Sequence, residues 1–454
     1  MRERKSLSGR RLPPVILPGM LRFWRLIAVV LLSVLPAPAA EPLRSLTILH
    51  TNDLHARLTP DPEGRGGFAH LATAIRWERA AAGACLLVDA GDFVQGSPVS
   101  TIYRGLPVYE IVNRFGYHAA TLGNHEFDYG WQMVPRFLRA ARFPIVCGNV
   151  VDANGRLLTG RAYVIKNVKG IRVALIGVIM DDLAALTTPD RMGPWRALPA
   201  VETVRKYCAE VRGRADLVVV LAHTGDPAVL DALPAAGVVI AGHVHGALES
   251  ARGKDGRVLV RSDSYGRELG RLDLQLDLAA GRIASWNWKR IRIDSRALPA
   301  AGDVAARVAK WDKRVAKIVD VRIGAATQEI AGPALRTLIE EAMREATGAD
   351  LACMNPGGIR DRLRPGNLLA RQVWNLMPFD NTVVVGRFRG EQLPQAVTQG
   401  RAIEAGRQYT LAINDFTAAN QKTELKATGL VFNDTGKLLR DVIIQYIRKR
   451  GTIP

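Results

Sequence analysis

Eight histidines occur in 454 residues, and five of them fall in short polar motifs that follow apolar runs. Asp53-Leu54-His55 closes the run SLTILHTND, and Asp92 closes CLLVDAGD. Asn124-His125-Glu126-Phe127-Asp128 follows HAATLG, His223 ends ADLVVVLAH, and His243-Val244-His245 follows VVIAG. Together they offer carboxylates, imidazoles and an amide oxygen. A mixed O and N donor set suits Zn²⁺, Mn²⁺, Fe²⁺ or Co²⁺, whereas Ca²⁺ prefers oxygen alone. The chemistry open to such a set is hydrolysis at two divalent ions about 3.5–4 Å apart that share one carboxylate. Each motif alone is weak, because a strand-end Asp commonly caps a turn and an H-x-H pair has many non-metal uses. Their joint occurrence in one ordered series carries the reading. In Asp53/His55 and His243/His245, alternate residues of an extended segment point the same way, so each pair can reach one ion.

His125 and Asp128 make a different pair. Where a reaction builds negative charge on oxygen, a fixed imidazolium beside it stabilises that charge. A carboxylate three residues away can orient the ring and favour its charged form. His50, His70 and His118 read as structural. Asp89, Glu126, Asp226 and Asp263 lie near the same strand ends and read as turn or supporting residues without a metal role.

The elements that must position these groups alternate. From Ser45 to about Val178, apolar strand-like runs are separated by helical segments such as FAHLATAIRWERAAAG, and AYVIKN and IRVALIGVI read as paired strands across a Lys-Gly turn. This pattern predicts a layered α/β domain with its site in the loops at the strand C-termini. From Arg257 to Ile293 the period becomes two, which predicts antiparallel strands that finish the domain over 45–295. Residues 303–320 predict a charged connector helix, and a second domain spans 321–454.

Hydrophobic residues make up 48% and charged residues 23%, so a globular chain with a sizeable core is expected. The formal net charge is +19; the first forty residues hold seven Lys or Arg against one Glu, and the remainder keeps 55 basic and 42 acidic residues. The basic residues are dispersed and no aromatic-interleaved patch appears, which argues against a nucleic-acid polymer as partner. Arg22 and Arg25, the apolar run Leu26 to Leu35 and Ala37-Pro38-Ala39 have the order of a secretory signal peptide within residues 1–40, with Met20 as an alternative start. The run is too short for a stable membrane span, so a periplasmic or secreted protein is expected, with an uncleaved anchor as the alternative. Cys85, Cys147, Cys208 and Cys353 show no metal-ligand spacing and read as buried free thiols.

The ordered series D-x-H, GD, GNHEFDYG, H and GHxH resembles the calcineurin-like metallophosphoesterase superfamily. LTILHTNDLHARL, GDFVQGSPVS and LGNHEFDYG resemble its 5′-nucleotidase branch. The resemblance implies a four-layer α/β/β/α metallophosphoesterase domain followed by a smaller α/β (α+β) 5′-nucleotidase C-terminal domain. Carried over by motif, one metal takes Asp53, His55 and His245, the other takes Asn124, His223 and His243, and Asp92 bridges them. His125 and Asp128 become the catalytic dyad. His245 stands where bacterial members commonly have Gln.

In the second domain, Asn355-Pro356-Gly357-Gly358-Ile359-Arg360 resembles the family's N-G-G-G-I-R loop, although Pro356 removes one N–H. MPFDNTVVV and INDFTAAN resemble the segments whose aromatic rings stack on the base, which map to Phe379 and Phe416. The family's following G-G-D-G loop is absent, and Lys422 falls where its Asp belongs. An Arg expected ahead of the helix that opens this domain is also absent, and Arg336 does not map onto it. The resemblance implies hydrolysis of phosphate esters, with nucleoside 5′-monophosphates as substrates. Cyclic nucleotides, nucleotide sugars or other pyrophosphates, a sulfur-oxidation thiosulfohydrolase activity on the same centre, or a non-catalytic binding role are the alternatives.

Overall fold

The computed structural model describes Gly9 and residues 43–454, apart from 227, 233–236, 255–256 and 399. The expected signal segment therefore lies outside the described residues. Two sheets dominate the first half. One runs β11-β10-β1-β2-β3, built from β1 (Arg44–Thr51), β2 (Cys85–Asp89), β3 (Ala119–Ala120), β10 (Glu268–Asp277) and β11 (Arg282–Arg292). The other runs β8-β9-β7-β6-β5-β4, with β4 (Tyr163–Val168), β5 (Ile171–Ile179), β6 (Leu217–His223), β7 (Gly237–Ala241), β8 (Arg252–Lys254) and β9 (Arg257–Val260). β1, β2 and β3 are parallel, as are β5, β6, β7 and β9.

Strand alternation explains the layering. In β1, Ile48 faces a core shared with Leu86, Val173, Val219 and Leu272, while its neighbour Leu49 joins a different core with Phe68, Leu71 and Ile75. In β6, Val219 and Leu221 face the first core, and Val218 and Val220 pack with Val204 and Tyr207. Because successive strand residues point to opposite faces, both sheets bury both faces. The sheets pack on each other, α1 (Phe68–Ala80) covers one outer face and α2 (Ala200–Glu210) covers the other. The result is the expected α/β/β/α stack.

The segment read as a connector is α3 (Gly302–Val319), and it does more than connect. Val304, Val308, Val315 and Val319 recur at helical spacing and are buried in the same core as α1. Arg76 and Arg114 hold Asp303, and Arg307 and Trp311 hold Glu110. The helix is thus packed onto the first half along its length.

The second half holds a three-stranded sheet and a four-stranded sheet. The first runs β14-β12-β18 from β12 (Arg322–Ala326), β14 (Gly366–Leu369) and β18 (Thr452–Ile453). The other runs β13-β16-β15-β17 from β13 (Leu351–Ala352), β15 (Thr382–Arg389), β16 (Gln408–Asn414) and β17 (Asn433–Leu438). α4 (Gly332–Thr347) and α5 (Leu439–Arg450) pack between them through Leu335, Ile339, Ile443 and Ile447. Residues 43–454 form one compact body. The halves are joined by Arg57 to Asp361 (3.1 Å), Thr101 to the Pro378 carbonyl (3.0 Å), Asn420 to the Thr187 carbonyl (3.2 Å) and Arg371 to Asp312 (2.6 Å). Cys147 and Cys353 are buried, Cys85 and Cys208 are half-buried, and all four are free thiols. Among the described residues no helix is long and apolar enough to cross a membrane.

Candidate active site

The strand ends of the two parallel sets bring the predicted donors together. Asp53 and His55 follow β1, Asp92 follows β2, Asn124 and His125 follow β3, His223 ends β6, and His243 and His245 follow β7. The way the side chains converge differs from simple strand alternation. Asp53 (φ 51°), His55 (φ 45°), Asp92 (φ 64°) and His243 (φ 71°) have left-handed backbones. Non-glycine residues rarely adopt that region, and holding one there costs on the order of 1–3 kcal/mol. Tight turns, rather than continued strands, therefore aim these groups. Gly123 is required beside them, because a Cβ there would collide with the Asp92 carboxylate.

Asp92 lies at the centre. Its Oδ2 is 3.1 Å from His223 Nε2, 3.8 Å from His55 Nε2 and 3.9 Å from His125 Nε2, and its Oδ1 accepts the His125 N–H at 2.9 Å. On one side, His55 Nε2 and His245 Nε2 face each other at 2.8 Å, and Asp53, His55 and His245 form one close donor group. On the other, Asn124 Oδ1 lies 3.2 Å from His223 Nε2 and 3.1 Å from His243 Nδ1. Asp53, Asp92 and His223 form a further close group. His223 Nδ1 donates to the Ala90 carbonyl at 2.7 Å, which turns Nε2 toward the cluster.

The electrostatics match a cation-binding role. Burial pushes Asp53 up to about 6, and burial drives His55 well below the ordinary histidine value. Burial likewise takes His243 down to about 4 and His245 to about 3. Neutral imidazoles keep the lone pairs that a metal needs. Burial works against the charges on Asp92 and His223, yet their mutual attraction outweighs it, so the carboxyl is held low and the imidazole is raised to about 10; a divalent ion at Nε2 would take the place of that proton beside Asp92. Facing nitrogens, crowded carboxylate oxygens and a complete O/N donor set fit divalent ions.

His125 sits at the edge of this cluster. Its Nδ1 lies 2.7 Å from Asp128 Oδ2. Burial opposes the charged ring, but Asp128 and Asp92 overcome it and raise the His125 pKa.

A cavity of about 200 Å³ connects the donors to the second half. Asn124, His125, Asp128 and His243 line one end, and Asn355, Arg360, Phe379, Asn414, Phe416 and Glu424 line the other. Phe379 and Phe416 are half-buried at the cavity and belong to neither hydrophobic core of that half. The Phe379 ring lies 5.9 Å from the His125 ring and 5.8 Å from the Arg360 guanidinium. Arg360 Nη2 is buried without a hydrogen-bond partner. Asn355 Oδ1 accepts from Asn414 Nδ2 at 2.8 Å, which fixes its amide.

Sequence reasoning missed several residues here. Lys422 is exposed, and the carboxylate that lines the cavity is Glu424, two residues on, where burial raises its pKa and Asn355 partly offsets that. Leu186, Thr187 and Arg191, from the first half, close the cavity wall. No motif marks them, because they arrive from a segment distant in sequence. Arg336 is engaged elsewhere, with Glu340 and Cys353. The three histidines read as structural are held as such. His50 accepts from Trp288 Nε1 at 3.1 Å, His70 meets the Leu298 carbonyl, and His118 accepts the Leu87 N–H.

Residues 46–247 match the calcineurin-like phosphoesterase family model, and residues 314–401 match the 5′-nucleotidase, C-terminal domain model. The chain is 26% identical to the Endonuclease YhcR of Bacillus subtilis over 87% of its own length, but spans only 36% of that longer protein. It is 25% identical to a 5′-nucleotidase of Vibrio cholerae, covering 88% of this chain and 83% of the relative. The crystal structure of a 5′-nucleotidase precursor from Thermus thermophilus superposes with a TM-score of 0.79 at 23% identity, over 90% of this chain and 97% of that one. By these matches residues 46–247 form a calcineurin-like phosphoesterase domain. Residues 314–401 are, more narrowly, similar to the C-terminal domain of 5′-nucleotidases, and over most of its length the chain resembles members of that family.

Proposed function

We propose that this chain is an exported two-metal phosphoesterase that hydrolyses nucleoside 5′-monophosphates to nucleoside and phosphate. The observation that carries this reading is the shared cavity. The metal donors Asn124 and His243, with His125 beside them, line the same space as Phe379, Phe416, Arg360 and Glu424. A phosphate ester at the donors therefore has an aromatic and polar receptacle for its leaving group within one enclosure.

In this reading Asp53, His55 and His245 hold one divalent ion, Asn124, His223 and His243 hold the second, and Asp92 serves both. The ions are Zn²⁺, Mn²⁺, Fe²⁺ or Co²⁺, and when bound they supply Lewis acidity to the phosphoryl oxygens and acidify water. The chain's own residues do the rest. Asp128 holds the proton on His125 Nδ1, which leaves Nε2–H to stabilise charge on the phosphoryl oxygens and to protonate the departing oxygen. Arg360 offers a second cation with a free N–H. Phe379 and Phe416 hold the base by stacking, and Glu424 accepts hydrogen bonds from the sugar hydroxyls. The apolar run Leu26 to Leu35 and Ala37-Pro38-Ala39 support export to the periplasm or medium, which N-terminal sequencing of the mature protein tests.

Purified protein supplied with Mn²⁺ or Co²⁺ should release phosphate from AMP faster than it turns over UDP-glucose, cyclic 2′,3′-AMP or bis-p-nitrophenyl phosphate. Preference for a diester or pyrophosphate would replace the monoesterase reading. No turnover on any substrate, with metal content near zero, would remove the enzyme reading altogether.

A further inference from the structure

Glu126 is completely buried and carries no metal role in the reading above, yet its carboxylate touches both loops that supply the centre. Oε2 accepts the Gly123 N–H at 2.7 Å and the Asp92 N–H at 3.1 Å. Oε1 accepts the Phe93 N–H at 3.0 Å, with the Val94 N–H at 3.4 Å and the Tyr109 hydroxyl at 3.5 Å as longer contacts. Every partner is a donor, so the group works as an acceptor on both oxygens. Asp92 returns the contact, because its own carboxylate accepts the His125 N–H at 2.9 Å. The two loops are therefore clasped reciprocally. One carboxylate of each loop is bound to backbone N–H groups of the other.

We propose that Glu126 is the positioning residue that fixes Asp92 relative to Asn124 and His125. The inference rests on the two-metal reading. Asp92 needs this help because its backbone is left-handed (φ 64°) and unfavourable for a side-chain-bearing residue. Without the clasp, the loop 91–94 could relax and carry the Asp92 carboxylate out of register with His223 and His55. A shift of about 1 Å in such a site is enough to cost two orders of magnitude in rate. Glutamine at 126 would turn an N–H₂ toward backbone donors, while Asp would keep the charge but fall one methylene short of spanning both loops.

The test compares wild type, Glu126→Gln and Glu126→Asp, with Val219→Ala in the inter-sheet core as a control for general destabilisation. Mn²⁺ binding is measured by calorimetry on metal-free protein, alongside thermal unfolding of the same samples. Outer supports of metal sites typically account for 10–100-fold in affinity or activity. Glu126→Gln should weaken Mn²⁺ binding by that factor at a Tm matched by the control, with Glu126→Asp between the two. The KM for AMP should stay near wild type, since Glu126 does not line the substrate cavity, and kcat should recover in part at saturating Mn²⁺. Wild-type affinity in Glu126→Gln overturns the proposal, as does a loss no larger than in the control of equal Tm. If neither Glu126 variant folds without metal, Glu126 is a general folding residue and the positioning role is wrong. A wild-type protein that binds no Mn²⁺ instead fails the two-metal reading itself, so the two failures are distinguishable.

Discussion

The rings of His125 and Phe379, one from each half of the chain, stand 5.9 Å apart between centroids and tilted by 32°. Arg360 lies over the same Phe379 ring at 5.8 Å. The proposed acid, the proposed stacking platform and an arginine with a free N–H are thus neighbours, although 254 positions separate His125 from Phe379. In the proposed function this arrangement couples substrate holding to chemistry.

Truncation of either aromatic should act on nucleotide binding and spare the chemical step. Base stacking on an aromatic side chain is worth about 1–3 kcal/mol. Phe379→Ala and Phe416→Ala should each raise KM for AMP by roughly 5- to 150-fold. The KM for p-nitrophenyl phosphate, which carries no purine, should change far less in Phe416→Ala. Equal losses on both substrates would show that the ring is structural.

Removing the Asp128 charge should weaken catalysis and move its pH profile. Asp128 and Asp92 hold the His125 pKa above the ordinary value against the opposing effect of burial. In Asp128→Asn one of those charges is gone, so the imidazolium loses its proton at lower pH. The alkaline limb of kcat should shift downward, and kcat near neutrality should fall on the order of 100-fold or more, as for loss of a positioned acid. A pH–rate profile of the variant at saturating metal and substrate checks both.

Glu424, rather than Lys422, should govern the nucleoside. A hydrogen bond to a charged group contributes about 1.5–3 kcal/mol. Glu424→Gln should raise KM for AMP by roughly 10- to 100-fold, and Lys422→Ala should leave it unchanged because that side chain is exposed. Comparing AMP with its 2′,3′-dideoxy analogue in both variants tests whether the sugar hydroxyls are the partner.

Chelation should unfold the protein at lower temperature. A ligand bound only by the native state at 100 times its Kd stabilises by about 2.7 kcal/mol. Treatment with EDTA should lower Tm, and added Mn²⁺ should restore it in proportion to the logarithm of its concentration. Calorimetric scans at several Mn²⁺ concentrations read this directly.

His50 should contribute to acid sensitivity independently of the metals. Burial lowers its pKa to about 3, and its Nε2 must stay unprotonated to accept from Trp288. Above about pH 6.5 both folded and unfolded forms are neutral, so there is no pH-dependent term. Between pH 6.5 and 3 only the unfolded chain takes up the proton. Stability should fall there by about 1.4 kcal/mol per pH unit from this residue. Urea titrations of His50→Gln and wild type between pH 7.5 and 5 should give a shallower pH slope for the variant.

Much of the layered fold was legible because its signals are local. The apolar runs of β1 and β6 and their short polar ends are properties of neighbouring residues, and they predict strands with donors at their C-terminal ends, while the burial of both faces of each sheet is decided by packing. The segment 303–320 was legible as a helix, but its valines are shared between helix and core, so only packing shows that it covers the first sheet. The Asp53/His55 and His243/His245 spacings marked the donors but suggested extended geometry. The left-handed backbones at Asp53, His55 and His243 are imposed by tertiary contacts, such as the Asp53 carboxylate accepting the His243 N–H at 3.0 Å across 190 positions.

By itself the sequence determined which groups are available: seven metal-type donors, a histidine–carboxylate pair three residues apart, and aromatic segments in a second domain. Tertiary structure decided which of them share a space. It replaced Lys422 with Glu424 in the cavity, brought Arg191 and Thr187 from the first half to close it, and made Glu126 the clasp between two loops. These outcomes depend on distances between segments far apart in the chain, where no local periodicity or motif carries information.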